Sequence, residues 1–417
     1  MAKKKQELTP EERLAAALVP EEEQPYELSE GWKWVRIGKI FVDVTDSKKK
    51  IKRQEYLLEG KWPIVDQGQT FIGGYSDDDA FVYRDELPVT IFGDHTRNVK
   101  YVDFQFIQGA DGVKVLKPQS FIDGKFLFWL LKGLPFPSKG YRRHFPILKK
   151  MVAPLPPLDE QQRIVARIES LFAKLDDAKE KVQGVLDTHE VRKAALLNDA
   201  FMGKLTAKWR KEHGVMSDSW YTDTLKNLCE KITDGTHHSP PNSDKGDYMY
   251  VTAKNIKETG IDLDNITYVS SAVHEEIYKR CDVQTGDVLY IKDGATTGIA
   301  TVNTLDEPFS LLSSVAVLRP HEERLLSGYL KHLLNSSEQK SKMLNNMSGN
   351  AITRLTLSKL KATSIRVCSL SEQRQIVDIL DRLLGREETV RQSAESVLES
   401  IDRMKQSILA RAFRGEL

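Results

Sequence analysis

The sequence writes one helix twice. Shifted by 212 residues, "LDEQQRIV" (Leu158–Val165) falls on "LSEQRQIV" (Leu370–Val377), and "AFMGKL" (Ala200–Leu205) falls on "AFRGEL" (Ala412–Leu417), with no gap between the anchors. Fourteen of the 48 positions are identical. Apolar residues return at a 4-3-4-3 spacing in both copies. The first reads Ile164, Ile168, Leu171, Leu175, Ala178, Val182, Val185, His189, Arg192, Leu196; the second reads Ile376, Leu380, Leu383, Glu387, Val390, Ala394, Val397, Ile401, Met404, Ile408. This is a heptad seam. Asp159 and Ser371 are suited to cap the helix starts, and Asp159-x-x-Gln162 has the form of a capping box. A helix of about 45 residues is about 65 Å long at 1.5 Å per residue. Such a helix with one apolar stripe needs a partner helix. The long segment between the copies lets the chain return, so an antiparallel coiled coil is expected. The seam is broken at His189, Arg192 and Glu387. Full antiparallel overlap brings Glu387 opposite His189, with Arg192 one turn along, a polar contact that would fix the register.

Each helix copy follows a longer mixed segment. Both segments open alike, with "LSEGWKWVRIGKI" (28–40) and "MSDSWYTDTLKNL" (216–228). Strand-like runs follow in each: "WPIVDQGQTFIGGY" and "LPVTIFGDH" in the first, "DYMYVTAKNI", "GDVLYIKDGATTGIATV" and "SLLSSVAVLRP" in the second, punctuated by Gly, Asp and Asn. Short helices come next, in "FIDGKFLFWLLKGL" and "LSGYLKHLLNSSEQKSKML". The expected fold class is α+β: two mixed heads separated by two long helices, an internal duplication with pseudo-two-fold symmetry. The boundaries are an acidic N-terminal segment 1–27 with a short helix opened by Thr9, a first head at 28–157, a helix at 158–205, a linker and second head at 206–369, and a helix at 370–417.

Composition narrows the function classes. No apolar run approaches the roughly 18 residues a membrane span needs, and the start of the chain lacks a signal core. Cys229, Cys281 and Cys368 have neither metal nor disulfide spacing, which points to a reducing cytoplasm. Residues 31–150 hold 21 Lys+Arg against 14 Asp+Glu, whereas residues 206–369 hold 20 of each. The first head thus has a local excess able to meet phosphates.

No catalytic constellation is evident. A phosphate-binding Gly-x-x-x-x-Gly-Lys-Ser/Thr loop, a Gly-x-Gly-x-x-Gly turn after a strand and an Asn/Asp-Pro-Pro-Tyr/Phe motif are all absent. His237 and His238 beside Asp234 lack the spaced partners of a metal site and read as solvent or DNA contacts, so no metal is expected. Two strand exits present Gly, Asp and polar donors: "FGDHTR", with Asp94, His95, Thr96 and Arg97, and "IKDGATT", with Lys292, Asp293, Thr296 and Thr297. Loops of this kind can read base edges, Arg taking guanine. The basic run "DSKKKIKR" contributes Lys49, Lys50, Lys52 and Arg53 as phosphate contacts or as a solvated face. Basic loops before the long helices add Lys139, Tyr141, Arg142 and Arg143 in one copy and Asn350 and Arg354 in the other, with Arg142 falling on Arg354 at the 212 offset.

The repeated L-x-E-Q-x-x-I-V and A-F-x-G-x-L, with "GKLTAKWR" after the first copy, resemble the specificity subunit of type I restriction–modification enzymes. The resemblance covers nearly the whole chain from about residue 28 and is strongest in the helices. It implies that the heads are target recognition domains, each reading half of a bipartite, asymmetric site in double-stranded DNA, and that the helices scaffold two methyltransferase subunits. Restriction–translocation subunits complete the implied complex. S-adenosylmethionine belongs to the methyltransferases, ATP and magnesium to the restriction subunits, and no cofactor to this chain, which would not be an enzyme. The competing reading is a coiled-coil assembly adaptor that does not touch DNA.

Overall fold

The computed structural model describes residues 8–136, 143–216, 219–345 and 355–417. The chain divides into two compact units, Met1–Val182 with Ser396–Leu417, and Gln183–Glu395. Each unit joins one head to a part of both long helices.

In the first unit, Thr9 caps α1 (Pro10–Ala15) through a capping box with Glu12. The segment after it joins β1 (Lys33–Arg36), which pairs antiparallel with β11 (Val152–Leu155). The head carries a four-stranded sheet in the order β2 (Phe41–Asp43), β10 (Val113–Pro118), β7 (Val89–Gly93), β8 (Val99–Val102). A second sheet runs β3 (Lys50–Ile51), β9 (Phe106–Gly109), β4 (Trp62–Val65), β5 (Gly74–Ser76), with β6 (Val82–Tyr83) also on β9. Helix α2 (Gly124–Gly133), capped by Asp123, and the short α3 (Phe145–Leu148) complete it. The run "WPIVDQGQTFIGGY" forms β4, a loop at residues 66–73 and the start of β5.

The second unit repeats this topology. Strands β12 (Tyr221–Thr224) and β22 (Ser364–Val367) pair as β1 and β11 do. The four-stranded sheet runs β13 (Cys229–Asp234), β21 (Val315–Pro320), β18 (Val288–Ile291), β19 (Ala300–Val302). Strand β14 (Tyr248–Val251) lies parallel to β20 (Ser310–Leu311) and antiparallel to β17 (Thr267–Val269), as β4 lies against β9 and β5. Helix α9 (Ser327–Asn335) stands where α2 does. The second head adds the hairpin β15 (Ile256–Lys257) and β16 (Gly260–Ile261), helix α8 (Ser271–Arg280) and α10 (Ser337–Asn345); α6 (Ala207–Glu212), α7 (Leu225–Leu228) and α11 (Leu357–Ala362) are short.

The repeated "EQ" has a structural cause. Gln161 and Gln373 are both fully buried at the start of the long helices. Gln161 Oε1 accepts from the Asp123 N–H at the start of α2 (2.8 Å), and its Nε2 donates to the Pro156 and Phe121 carbonyls (2.9 and 3.2 Å). Gln373 does the same for α9: Oε1 accepts from Leu326 N–H (2.9 Å), and Nε2 donates to the Cys368 and Arg324 carbonyls (both 2.9 Å). Each amide joins a long helix to the incoming strand and to the head helix, and satisfies three backbone groups, one buried and two part-buried.

The repeated ending anchors the heads. Gly203 and Gly415 adopt φ of +75° and +76°, the left-handed conformation that closes a helix at low cost only with glycine. The preceding phenylalanines are buried: Phe201 meets Tyr329 of α9, and Phe413 meets Phe126 of α2, edge to face at 5.3 and 5.4 Å between ring centres.

The first long helix is not continuous. It comprises α4 (Leu158–Asp187) and α5 (His189–Phe201), parted at Thr188. The Val185 carbonyl, which an unbroken helix would offer to the His189 N–H, accepts instead from the Thr188 hydroxyl (3.2 Å) and the Arg192 guanidinium (3.3 Å). The second, α12 (Leu370–Ala412), runs unbroken. In the first unit α4 and α12 run antiparallel: Arg163 donates to the Leu417 carbonyl, Asp176 pairs with Lys405, and Lys179 with Asp402. In the second unit the direction is likewise antiparallel, with Arg192 against Glu387 and Thr206 against Glu372. The seam is narrower than the spacing predicts. Ile376, Leu380, Ala394 and Ile401 are buried, but Val390, Val397 and Met404 are 42, 44 and 53% exposed and Val185 37%. Residues at one heptad position, not two, carry the burial along this stretch of α12.

Glu387, His189 and Arg192 come together. Arg192 Nε donates to Glu387 Oε2 at 2.9 Å, and His189 Nδ1 lies 3.7 Å from the same oxygen, the imidazole being 8% exposed. Glu372 is fully buried and accepts from Thr206, Arg210 and the Trp220 indole (3.1 Å to Oε2). At the equivalent place Glu160 pairs with Arg163 and is partly exposed.

Two outcomes test these contacts. Gln373→Ala should lower stability by roughly 1–3 kcal/mol, the cost of buried groups left unpaired; an unchanged thermal midpoint would show that the amide is dispensable. Glu387→Ala should cost roughly 1–3 kcal/mol for the same reason, and the pair His189→Ile with Glu387→Leu should recover much of it. Equal midpoints for the single and double variants would remove the triad as a determinant of register.

Candidate nucleic-acid interface

Strand direction gathers four loops at one edge of each head. In the first head β10 is antiparallel to both β2 and β7, with Val113 opposite Gly93 and Leu116 opposite Asp43. The exits of β2 and β7 therefore lie at the end where β10 begins, beside the β9–β10 turn. Strand β4 is parallel to β9, with Val65 opposite Gln108, so its exit joins them. In the second head β21 is antiparallel to β13 and β18, and β14 is parallel to β20. The exits of β13, β14 and β18 and the β20–β21 turn share one edge in the same way.

In the first head one glutamine binds three of these loops together. Gln67 Nε2 donates to the Asp111 carbonyl (2.7 Å), and its Oε1 accepts from the His95 N–H (3.2 Å). Its backbone carbonyl accepts from the Thr96 hydroxyl (2.7 Å) and the Asn98 amide (2.9 Å). Lys100, 5% exposed, lies inside the β4 exit, donating to the carbonyls of Asp66 (2.7 Å), Thr70 (2.6 Å) and Phe71 (3.2 Å), with the Asp66 carboxylate 3.5 Å away. Burial draws its pKa below the usual lysine value, and Asp66 opposes the shift. The ammonium acts as a fixed internal cation on which the loop is folded. Burial likewise raises the Tyr56 phenol to about 12, reinforced by Asp66.

The residues singled out in the sequence take different places. Asp94 is 6% exposed and its carboxylate accepts from the Phe145 N–H at 2.7 Å, so it positions the edge and does not project from it. His95 is half-buried, while Thr96 and Arg97 are exposed. Lys49, Lys52, Arg53 and Arg143 are exposed, but Lys50 is paired with Asp111 at 2.8 Å, which holds that carboxyl below its usual range. Lys139, Tyr141, Arg142, Asn350 and Arg354 lie outside the described residues. The residues after those two segments return equivalently: the His144 N–H bonds the Asp94 carbonyl, and the Leu355 N–H bonds the Lys292 carbonyl.

In the second head Lys292 is 6% exposed and paired with Asp293 (2.6 Å) and Asp234 (3.5 Å). It is an internal cation, as Lys100 is, and not an outward contact. Asp234, 2% exposed, also accepts from Arg280 at 2.6 Å, and His237 lies 3.6 Å away and within 2.9 Å of the same guanidinium. His237 and His238 are exposed at the β13 exit, and Thr296 at the β18 exit; the Thr297 hydroxyl is spent on the Gly294 carbonyl (2.7 Å). Among the described residues no three His, Cys, Asp or Glu side chains converge as a metal site would require, and no helix is long and apolar enough to cross a membrane. Gln67, Lys100 and Arg280 escaped the sequence reading. The polar "DQGQT" between two apolar runs was the available signal for the first.

Two heads of one topology, each with a polar loop edge and each mounted on segments of the same two helices, define an internally duplicated α+β recognition protein. The chain belongs to the type I restriction modification DNA specificity domain family, whose profile matches residues 29–185 and again 217–398. It is 24% identical over 287 residues to the specificity subunit of the Escherichia coli type I restriction enzyme EcoBI, over 65% of this chain and 59% of that one. The match thus spans less than two thirds of that relative. Its fold is shared with a chain solved in work on assembly and conformational transition of the type I restriction–modification system, at a TM-score of 0.68, 21% identity, and coverage of 94% of this chain and 100% of that chain. The HsdS subunit from Thermoanaerobacter tengcongensis gives a TM-score of 0.57 at 21% identity, over 95% of this chain and 100% of that one.

Lys100→Met keeps the volume and removes the donors. Three loop carbonyls then lose their partner, so amide exchange across residues 67–71 should accelerate strongly while that of β7 and β10 stays slow. Uniform protection in the variant would mean that the loop does not rest on the ammonium.

Proposed function

We propose that this chain is the non-catalytic DNA-reading subunit of a type I restriction–modification complex, each head taking one half of a bipartite, asymmetric site. The observation that carries the reading is the duplicated edge. Equivalent strand exits meet in both heads on a matched hydrogen-bonded frame, yet their loops differ in sequence and length. The same frame with different loops is what two unlike half-sites demand, since base edges are read by side chains and not by the backbone. Exposed Lys49, Lys52, Arg53 and Arg97 give the first edge the cations that phosphates require.

On this reading the long helices scaffold two methyltransferase subunits, which bring S-adenosylmethionine and methylate adenine. Restriction subunits add ATP and magnesium, and the complex works in the cytoplasm. This chain supplies recognition and no reacting group.

Methylation mapping of cells carrying the chain with its methyltransferase should return two dissimilar half-sites separated by an unread spacer. The purified complex should bind that DNA with an affinity falling steeply as salt rises. A continuous palindrome of six or fewer base pairs would overturn the bipartite reading. Salt-independent binding, or none, would favour an adaptor that bridges proteins only.

A further inference from the structure

On the reading just given, we infer that Arg97 and Gln69 are the base-reading pair of the first head, Arg97 taking a guanine and Gln69 an adenine. Arg97 sits in the turn between β7 and β8 with φ of +62°, in the left-handed region. That backbone is closed on both sides: the Arg97 N–H donates to the Gly93 carbonyl, and the Gly93 N–H to that of Asn98, both at 2.8 Å. Thr96 and Asn98 are tied inward to Gln67, so the turn cannot relax around the arginine. Glycine or asparagine would occupy this position at lower cost. The chain instead holds there an exposed guanidinium that makes no ion pair among the described residues. Burial does not explain the residue, nor does pairing; what it offers is a rigidly presented bidentate donor, the group that matches O6 and N7 of guanine.

Gln69 stands on the neighbouring loop, two residues beyond the glutamine that joins both. Its loop is folded on the Lys100 ammonium through the carbonyls of Asp66, Thr70 and Phe71. With those groups turned in, the Gln69 side chain is left exposed, and its amide makes no hydrogen bond among the described residues. A side-chain amide offers one donor and one acceptor side by side, the complement of N7 and N6 of adenine. Gln67 is the contrast: the same residue type, two positions earlier, spends both amide atoms on the frame.

The test uses the complex with its methyltransferase, methylation mapping in cells, and purified protein. Arg97→Ala should relax one guanine position by about tenfold or more, the range of a lost bidentate pair, and Gln69→Ala one adenine position. Both changes should fall in the same half-site, with the other half-site and the spacer unaltered. Arg97→Gly should relax the same guanine while raising the thermal midpoint, a readout that a purely structural arginine would not give. A uniform loss of affinity with a salt slope smaller by about one and no change in base preference would make Arg97 a phosphate contact and overturn the assignment. Changes in different half-sites would overturn the pairing. If the unaltered complex bound no DNA, the broader reading would fail with it; normal binding with unchanged preference in both variants would sink this inference alone.

Discussion

The side-chain amides of Gln161 and Gln373 are the contacts on which the rest of each unit depends. Each head shares one apolar core with the long helices, but non-directional packing leaves their register open, and a head helix begins with backbone N–H groups that need acceptors. The glutamine answers both needs. Its oxygen takes the N–H of the residue that caps α2 or α9, and its nitrogen ties the end of the strand that enters the long helix. Buried and fully bonded, it fixes distance and direction together, which an apolar contact of the same area would not do. The phenylalanine of the repeated ending then closes the opposite side of the same head helix. Between them, the two short motifs hold the head helix from both long helices.

With the frame set, variation is confined to the loops. The sheets of the two heads pair in the same order, and even single backbone bonds recur: Asp94 N–H to the Gly112 carbonyl in one, Lys292 N–H to that of Ser314 in the other. The interior solutions differ. The first head folds its β4 exit around an ammonium and crosslinks three loops through Gln67; the second neutralises Asp234 between Arg280 and Lys292 and carries an extra hairpin and helix. A backbone that tolerates such different interiors behind one edge can accept new loops without changing its strands.

The long helices were legible because their spacing and their glycine endings are local signals. The Thr188 interruption was not, because it arises from competition for one carbonyl and leaves no proline or glycine at the break. Nor was the exposure of Val390, Val397 and Met404, since a heptad pattern names the residues that could face a partner and not how much surface the partner covers. The duplication of the heads was legible in their like openings and layout, but their matched strand order was not: it resides in backbone pairing that many side chains satisfy. Asp94 and Lys292 looked like reading residues because both are polar and both end a strand; each proved to be buried and bonded inward. Burial of a charge depends on partners distant in the chain, which a strand-exit pattern does not record.

Pairing also revises what net charge says. The first head's excess of 21 Lys+Arg over 14 Asp+Glu includes Lys100, which is internal, and Lys50, which is paired. Among the described residues, Lys49, Lys52, Arg53 and Arg97 remain exposed without an ion pair. The second head has no excess, and its Arg280 and Lys292 are both engaged by Asp234; exposed Lys245 and Lys254, after β13 and β14, stand beside the imidazoles and hydroxyls of its edge. Counter-ion release scales with the phosphates neutralised. Among the residues described, both edges therefore contribute to any salt dependence, the first through Lys49, Lys52, Arg53 and Arg97 and the second through Lys245 and Lys254. Duplication has kept one frame in both heads while their electrostatics have separated.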